Sequence, residues 1–273
     1  MKIEAILTPA ELSALAKRDL RDAACVVFDV LRATSVFVTA LHNGAKAIVP
    51  VSEIADALAL RQKQPEVLLG GERDGMRIRA AQSGGIDFDL GNSPREYTAE
   101  KVRGKTIVST TTNGTRALRA SARAKTVLAA SFLNLTATAE FIKKKQPGQL
   151  VLVCAGTHEN TALEDVLAAG ALCDLLNRRS EIPGEPNDEQ KKPDTRGRSP
   201  RQNAASKFSD SAEMARRVYL QANPDLANAI RSSENARRLL SIPELRDDVS
   251  FCLQRDVYPL IARMEADGSV RKP

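Results

Sequence analysis

The residue order predicts an α/β fold: a largely parallel or mixed sheet with helices on both faces, in one domain over residues 1–273 that could divide into two lobes. Three observations carry this. Short apolar runs alternate with helix-forming segments along most of the chain, the order that builds a sheet with parallel strands. Runs such as Val26-Val27-Phe28 and Leu150-Val151-Leu152-Val153 are continuously apolar, as strands buried on both faces require. A length of 273 residues with 42% apolar content permits a full core.

Taken in order, Thr8-Pro9-Ala10-Glu11 reads as a capping box with proline at the first helical position, opening a helix to about Leu20. A strand at 26–29 and a helix at 34–42 follow, the helix stopped by Asn43-Gly44. Residues 47–51 form the next strand, and Ser52-Glu53 opens a helix ending near Gln64-Pro65. A strand at 67–69 runs into Gly70-Gly71-Glu72, and residues 73–92 read as irregular. Ser93-Pro94-Arg95-Glu96 is a second capping box, opening a helix to about Val102. Strands at 106–109, 127–130 and 150–154 are each followed by a helix: from about Gly114, at 136–145 and at 161–177. Residues 181–207 are polar, proline-rich and mixed in charge. Such a segment cannot bury enough apolar area to offset its ordering entropy, so a disordered surface insertion is expected. Helices resume at 209–221, 225–232 and 235–240, with a final strand at 249–253 and a last segment at 258–265.

Composition narrows the function. Aromatics make up 4% of the chain and Trp is absent, so platforms for stacking bases are poorly supplied. The net charge of +6 suits anionic small molecules, and no basic stripe alternates with aromatics, so nucleic acid is not an expected partner. Cys25, Cys154, Cys173 and Cys252 have no metal-ligand spacing and read as reduced, which fits a cytoplasmic protein. Met1-Lys2-Ile3-Glu4 is not the start of a secretory signal, and no apolar stretch has membrane-spanning length. With His42 and His158 the only histidines, any metal should be a hard cation on oxygen ligands.

Ligands of such sheets sit beyond the carboxyl ends of the strands, and three strand ends here share one design. They are Asp29 to Ser35, Ser109 to Arg116, and Cys154 to Thr161. Each is an apolar strand, a turn of small and hydroxylated residues, then a helix start, where amides and a partial positive charge favour an anion. Arg32 and Arg116 add full charge in a bidentate fork. Carboxylates for a metal come from Asp29, Glu72, Asp89 and the pair Glu164-Asp165; Thr161-Ala162-Leu163-Glu164 also reads as a capping box that Glu164 closes. In Ile86-Asp87-Phe88-Asp89, the two acids point to opposite faces if extended. Gly91-Asn92-Ser93-Pro94 places donors where a helix begins, and His158 is a candidate proton donor.

These same blocks resemble a known family. Asp29-Val30-Leu31-Arg32-Ala33-Thr34, Gly71-Glu72-Arg73, Asp89-Leu90-Gly91-Asn92-Ser93-Pro94 and Thr110-Thr111-Thr112-Asn113-Gly114-Thr115-Arg116 are similar to the ComB family of 2-phosphosulfolactate phosphatases. Ser131-Phe132-Leu133-Asn134, Cys154-Ala155-Gly156-Thr157, Leu163-Glu164-Asp165 and Phe251-Cys252-Leu253-Gln254-Arg255-Asp256 fit in the same order. The resemblance implies a magnesium-dependent hydrolase of 2-phospho-3-sulfolactate on the route to coenzyme M, with a homodimer as the expected assembly. The stretch Asp74 to Ile86, long for the family, would shape one pocket wall. Aspartyl phosphatases of the haloacid dehalogenase type need a second Asp two residues after the first; here that position is Leu31, so their phospho-aspartate route is not transferred.

The expected site therefore has Asp29, Arg32 and Arg116 as catalytic residues. Its metal is Mg2+, held by Asp29 with one or more of Glu72, Asp89, Glu164 and Asp165. The phosphorylated acid is held by Thr34, Ser35, Arg73, Asn92 and Ser93 and by the turn Thr110, Thr111, Thr112, Asn113, Gly114 and Thr115. The rival expectation is a non-catalytic module that binds a phosphometabolite through the same cradle and needs no metal.

Overall fold

The computed structural model describes residues 1–178 and 207–273. Their strands are β1 (Lys2–Ile6), β2 (Ala23–Phe28), β3 (Ala47–Pro50), β4 (Leu68–Arg73), β5 (Met76–Arg77) and β6 (Thr106–Thr110). The others are β7 (Thr126–Ala130), β8 (Gln149–Cys154), β9 (Lys207–Phe208), β10 (Ala262–Met264) and β11 (Val270–Arg271). All join one sheet in the order β5-β4-β6-β3-β11-β10-β7-β2-β8-β1-β9. The sheet is mixed in a particular way. Two parallel blocks, β4-β6-β3 and β7-β2-β8-β1-β9, are joined at the centre by the antiparallel hairpin β10–β11.

The continuous apolar runs follow from burial of both faces. Val26 and Phe28 of β2 and Leu150, Leu152 and Cys154 of β8 face one core; Cys25, Val27, Val151 and Val153 face the other. The first face is covered by α7 (Leu135–Lys145), α8 (Leu163–Asn177), α9 (Asp210–Ala222), α10 (Leu226–Arg231), α11 (Glu234–Ser241) and α12 (Arg246–Cys252). The second is covered by α1 (Leu12–Leu15), α2 (Ala33–His42) and α6 (Gly114–Ser121). α3 (Ile54–Lys63) packs over β4 and β6 around Ala57, Leu69 and Val108. The short helices α4 (Ala80–Ser83) and α5 (Ala99–Val102) lie in the connections.

The structure departs from the sequence expectations at several places. The first helix is one 3-10 turn and four α residues rather than a run to Leu20, although the Thr8–Glu11 capping box is present. The segment 93–102 is a 3-10 turn and a separate short helix, because Tyr97 leaves helical geometry to bury its ring and donate its hydroxyl to Gly91 O at 2.7 Å. Residues 249–253 lie in α12 and its C-cap rather than in a strand: Asp248, Val249 and Cys252 are buried together at helical spacing, and tertiary packing overrides the β-branched and aromatic composition. Residues 73–92 contain β5 and α4. The turn joining β4 to β5 is Asp74-Gly75, with φ of +52° and +77°, the two positive values that a two-residue hairpin of this handedness needs. The insertion expected at 181–207 lies outside the described residues except for Lys207, which pairs with Lys2 in the sheet.

Candidate active site

The ends of β2, β4, β6 and β8 converge on a cleft lined by Asp29, Glu72, Asn92, Asn113, His158 and Arg238, among others. The β2 turn is fixed by its own polar groups. Thr34 Oγ1 donates to Asp29 O at 2.9 Å and accepts from Asp29 N at 3.0 Å, while Ala33 N, in the first turn of α2, donates to Asp29 Oδ1 at 3.1 Å. This leaves Asp29 Oδ2 without a hydrogen-bond partner among the described residues. The first residue of α6 is Gly114, where a Cβ would lie 2.6 Å from Asp29 Oδ2 and 2.7 Å from the Ala33 methyl. The glycine lets a second helix N-terminus approach the carboxylate. Gly114→Ala should therefore keep the fold and lower phosphate-ester turnover by roughly 10- to 100-fold, the cost of misplacing reacting groups by about 1 Å. Steady-state kinetics beside circular dichroism would read both; full activity in the alanine variant would show that the approach is incidental.

Burial pushes the Asp29 carboxyl up to about 7; the Ala33 N–H opposes this, and the charges of Glu72 and Glu164 add to the rise. Glu164 is raised chiefly by burial, and Asp165 well above the ordinary range by burial and then by Asp29 and Glu164. Three acids share one poorly solvated region.

The acids do not play one role. Asp165 accepts Val30 N at 2.8 Å on one oxygen and Gly156 N at 3.0 Å on the other, so it ties the β2 turn to the β8 turn. Glu72 accepts Thr112 N at 2.9 Å, Thr112 Oγ1 at 3.0 Å and Gly75 N at 2.7 Å, locking the β6 turn to the β4–β5 hairpin. Glu164 does not close a capping box: α8 begins after Ala162, and Glu164 Oε1 instead accepts Asn235 Nδ2 at 2.9 Å. Its Oε2 is buried with no partner among the described residues. Asp89 does not reach the cleft. It is exposed, accepts Leu69 N at 2.7 Å and pairs with Arg61, because the strand-like run 86–90 turns Phe88 and Leu90 inward and Asp89 out. Among the described residues no three Asp, Glu, His or Cys side chains are grouped as a preformed metal cage.

The expected cations are also rearranged. Arg32 lines the cleft, but its side chain is buried: Nη1 donates to Asp248 Oδ2 at 2.7 Å and Nη2 to Gly75 O at 2.6 Å. Ser93 Oγ donates to Asp248 Oδ1 at 2.6 Å, so Ser93 orients the acid that holds Arg32 instead of touching the cleft. Arg116 does not join Asp29 and Arg32; it projects from the exposed side of α6 and pairs with Glu159 at 2.9 Å. Arg73 turns away to Glu72 O, Ser52 O and Thr110 Oγ1. Ser35 Oγ donates to Val30 O, Thr110 Oγ1 to Ser52 O and Thr115 Oγ1 to Thr111 O, so these hydroxyls, like Thr34, build the turns. Thr111 Oγ1 accepts Thr115 N, another bond within the turn.

The cradle itself remains. Asn113 Nδ2 donates to Ala155 O at 3.0 Å and His158 O at 2.9 Å, bringing the β6 and β8 turns together. Its backbone N–H and that of Gly114 donate to no group among the described residues. The Asn92 side chain lines the cleft equally unpartnered. Three residues that sequence reasoning missed come from the C-terminal helices. Asp248 holds Arg32, Asn235 bridges Thr157 Oγ1 and Glu164, and Arg238 lines the cleft. No local signal marks them; the partners of Asp248 and Asn235 lie 71–216 residues away in the chain.

A family model described as 2-phosphosulpholactate phosphatase matches residues 8–267, which includes every turn that forms this cleft. The chain belongs to the 2-phosphosulpholactate phosphatase family. Its members are phosphoric monoester hydrolases, and this chain is one of them. Proteins named probable 2-phosphosulfolactate phosphatase are similar to it along most of their length. That of Caldanaerobacter subterraneus is 36% identical over 258 residues, 93% of this chain and 92% of the relative. That of Thermotoga petrophila is 39% identical over 236 residues, 86% of each chain. That of Clostridium acetobutylicum is 32% identical over 263 residues, 96% of each. No helix among the described residues is long and apolar enough to cross a membrane.

Proposed function

We propose that the chain is a magnesium-dependent phosphatase that hydrolyses 2-phospho-3-sulfolactate, or a closely similar small phosphorylated acid, to the free acid and phosphate. The observation that carries this is the position of Asp29: a buried, partly unpaired carboxylate facing free amides at the first turn of α6 across one cleft. The donor set fits a hard cation. Asp29 Oδ2, on the cleft, is a carboxylate oxygen without a partner among the described residues, and Mg2+ takes one or two carboxylates, filling its other positions with water and phosphate oxygens; Glu164 Oε2 is likewise unpartnered but does not line the cleft. When bound, the ion neutralises phosphate oxygens and lowers the pKa of a coordinated water.

The chain's own residues do the rest. The N–H groups of Asn113 and Gly114 receive phosphate oxygens at a helix N-terminus, where developing charge is stabilised. Arg32 supplies a fixed positive field, its orientation set by Asp248 and Gly75 rather than by substrate. Asp165 holds the β2 and β8 turns together and Glu72 the β6 turn and the β4–β5 hairpin, so the donors stand in place before substrate arrives. A screen of phosphate release over small phosphorylated acids, with magnesium and with chelator, tests the reading. Release that needs the metal and is fastest with phosphosulfolactate is expected. Binding without turnover under all conditions would instead favour a non-catalytic metabolite-binding module.

A further inference from the structure

Resting on the reading of this cleft as a phosphatase site, we infer that Arg238 is the residue that selects substrates carrying a second acid group. Arg238 sits in α11, is half-buried and lines the same cleft as Asp29 and Asn92. Among the described residues its guanidinium forms no ion pair and donates no hydrogen bond, unlike Arg32, whose charge is met by Asp248. Its guanidinium packs against the β4–β5 turn, so close that a Cβ at Gly75 would overlap it.

Gly75 thus carries three contacts at once. Its N–H donates to Glu72, its carbonyl accepts from Arg32, and its bare Cα makes room for Arg238. The first two contacts are internal to the protein. The third leaves a planar cation, with its donors uncommitted, on a wall of the cleft. A guanidinium in that state is suited to a carboxylate or sulfonate, which it grips with two parallel hydrogen bonds. The phosphate is already provided for by the α6 amides. Asn92, on the same cleft and also unpartnered among the described residues, supplies a neutral donor.

The test compares the wild type with Arg238→Gln and Arg238→Lys on three esters. 2-Phospholactate carries a carboxylate beside the phosphate, 2-(phosphooxy)ethanesulfonate carries a sulfonate, and methyl phosphate carries neither. The readout is the ratio of kcat/KM for each diacid to that for methyl phosphate. In Arg238→Gln this ratio should fall about 10- to 100-fold, the worth of one charged hydrogen-bonded contact, with partial recovery in Arg238→Lys. The ester whose ratio falls further identifies whether Arg238 grips the carboxylate or the sulfonate. An unchanged ratio, with all three esters slowed alike or none slowed, would overturn the inference. If the wild type hydrolyses none of the three esters, the ratio cannot be formed, and if it spares phosphosulfolactate as well, the phosphatase reading itself has failed. Calorimetric binding of 3-sulfolactate then decides the role of Arg238 alone: about 10-fold weaker binding to Arg238→Gln upholds it, and equal binding ends it.

Discussion

Asp29→Asn lowers kcat/KM for phosphate-ester hydrolysis by about 10- to 100-fold or more, the range lost when a group that supports a bound metal is removed, and at the same time makes the metal-free protein more stable at pH 8. The two effects share one cause. In the folded chain the Asp29 carboxyl titrates near 7, against an ordinary value of 3.8. Below the lower value both folded and unfolded chains hold the proton, and the group is neutral to stability. Between the two values only the folded chain holds it, so stability falls as pH rises. Above the upper value the full penalty of a buried charge among other acids is present. Asparagine keeps the acceptor for Ala33 N–H and removes the charge. Melting curves in chelator should show the variant ahead of the wild type at pH 8, with the gap closing toward pH 4. Adding magnesium at pH 8 should raise the wild type more than the variant. A variant no more stable at pH 8 than at pH 4, relative to wild type, would mean that Asp29 carries no such strain.

Asp248→Ala should cost about 3–5 kcal/mol of stability, because it leaves the Arg32 charge buried without its partner. The side chains of this pair are 2% and 0% exposed, so water cannot take over the lost contact. Ser93 Oγ also loses its acceptor. Chemical denaturation would measure the loss. The double variant Arg32→Met with Asp248→Leu separates structure from chemistry. Well-packed apolar replacements of a buried pair regain much of the stability, and activity should stay low because the field of Arg32 is gone. If the single variant lost less than about 1 kcal/mol, the value typical of exposed pairs, the burial of this pair would have no energetic consequence.

Legibility of the site followed distance along the chain. Asp29, Asn92 and Asn113 were readable because a strand end, a turn and a helix start lie within a few residues of one another, and local chemistry dictates all three. Arg116 belonged to the same run but was misplaced: two residues into a helix, its direction depends on helical phase, which points it at Glu159. Glu164 and Asp165 were recognised as acids near the site, yet their separate duties depend on Asn235, Val30 and Gly156, none of which a local pattern reveals. The Asp74-Gly75 hairpin could have been read, since that dipeptide favours two positive φ values; the short strands beside it hid it. Asp248 could not, because the run just after it, Val249 to Leu253, has the composition of a strand and its partner lies 216 residues earlier. The strand–helix alternation was legible almost throughout, whereas the antiparallel join at the centre of the sheet was not.

That join has a consequence for how the molecule is made. β3 and β7 are finished by residue 130, yet neither meets its central neighbour until β10 and β11, ending at Arg271, have left the ribosome. Until those strands dock, each parallel block has an open inner border, a template for mispairing. β10 and β11 act as a keystone: once docked, they close both borders and fix the spacing of the Glu72 and Asp29 walls.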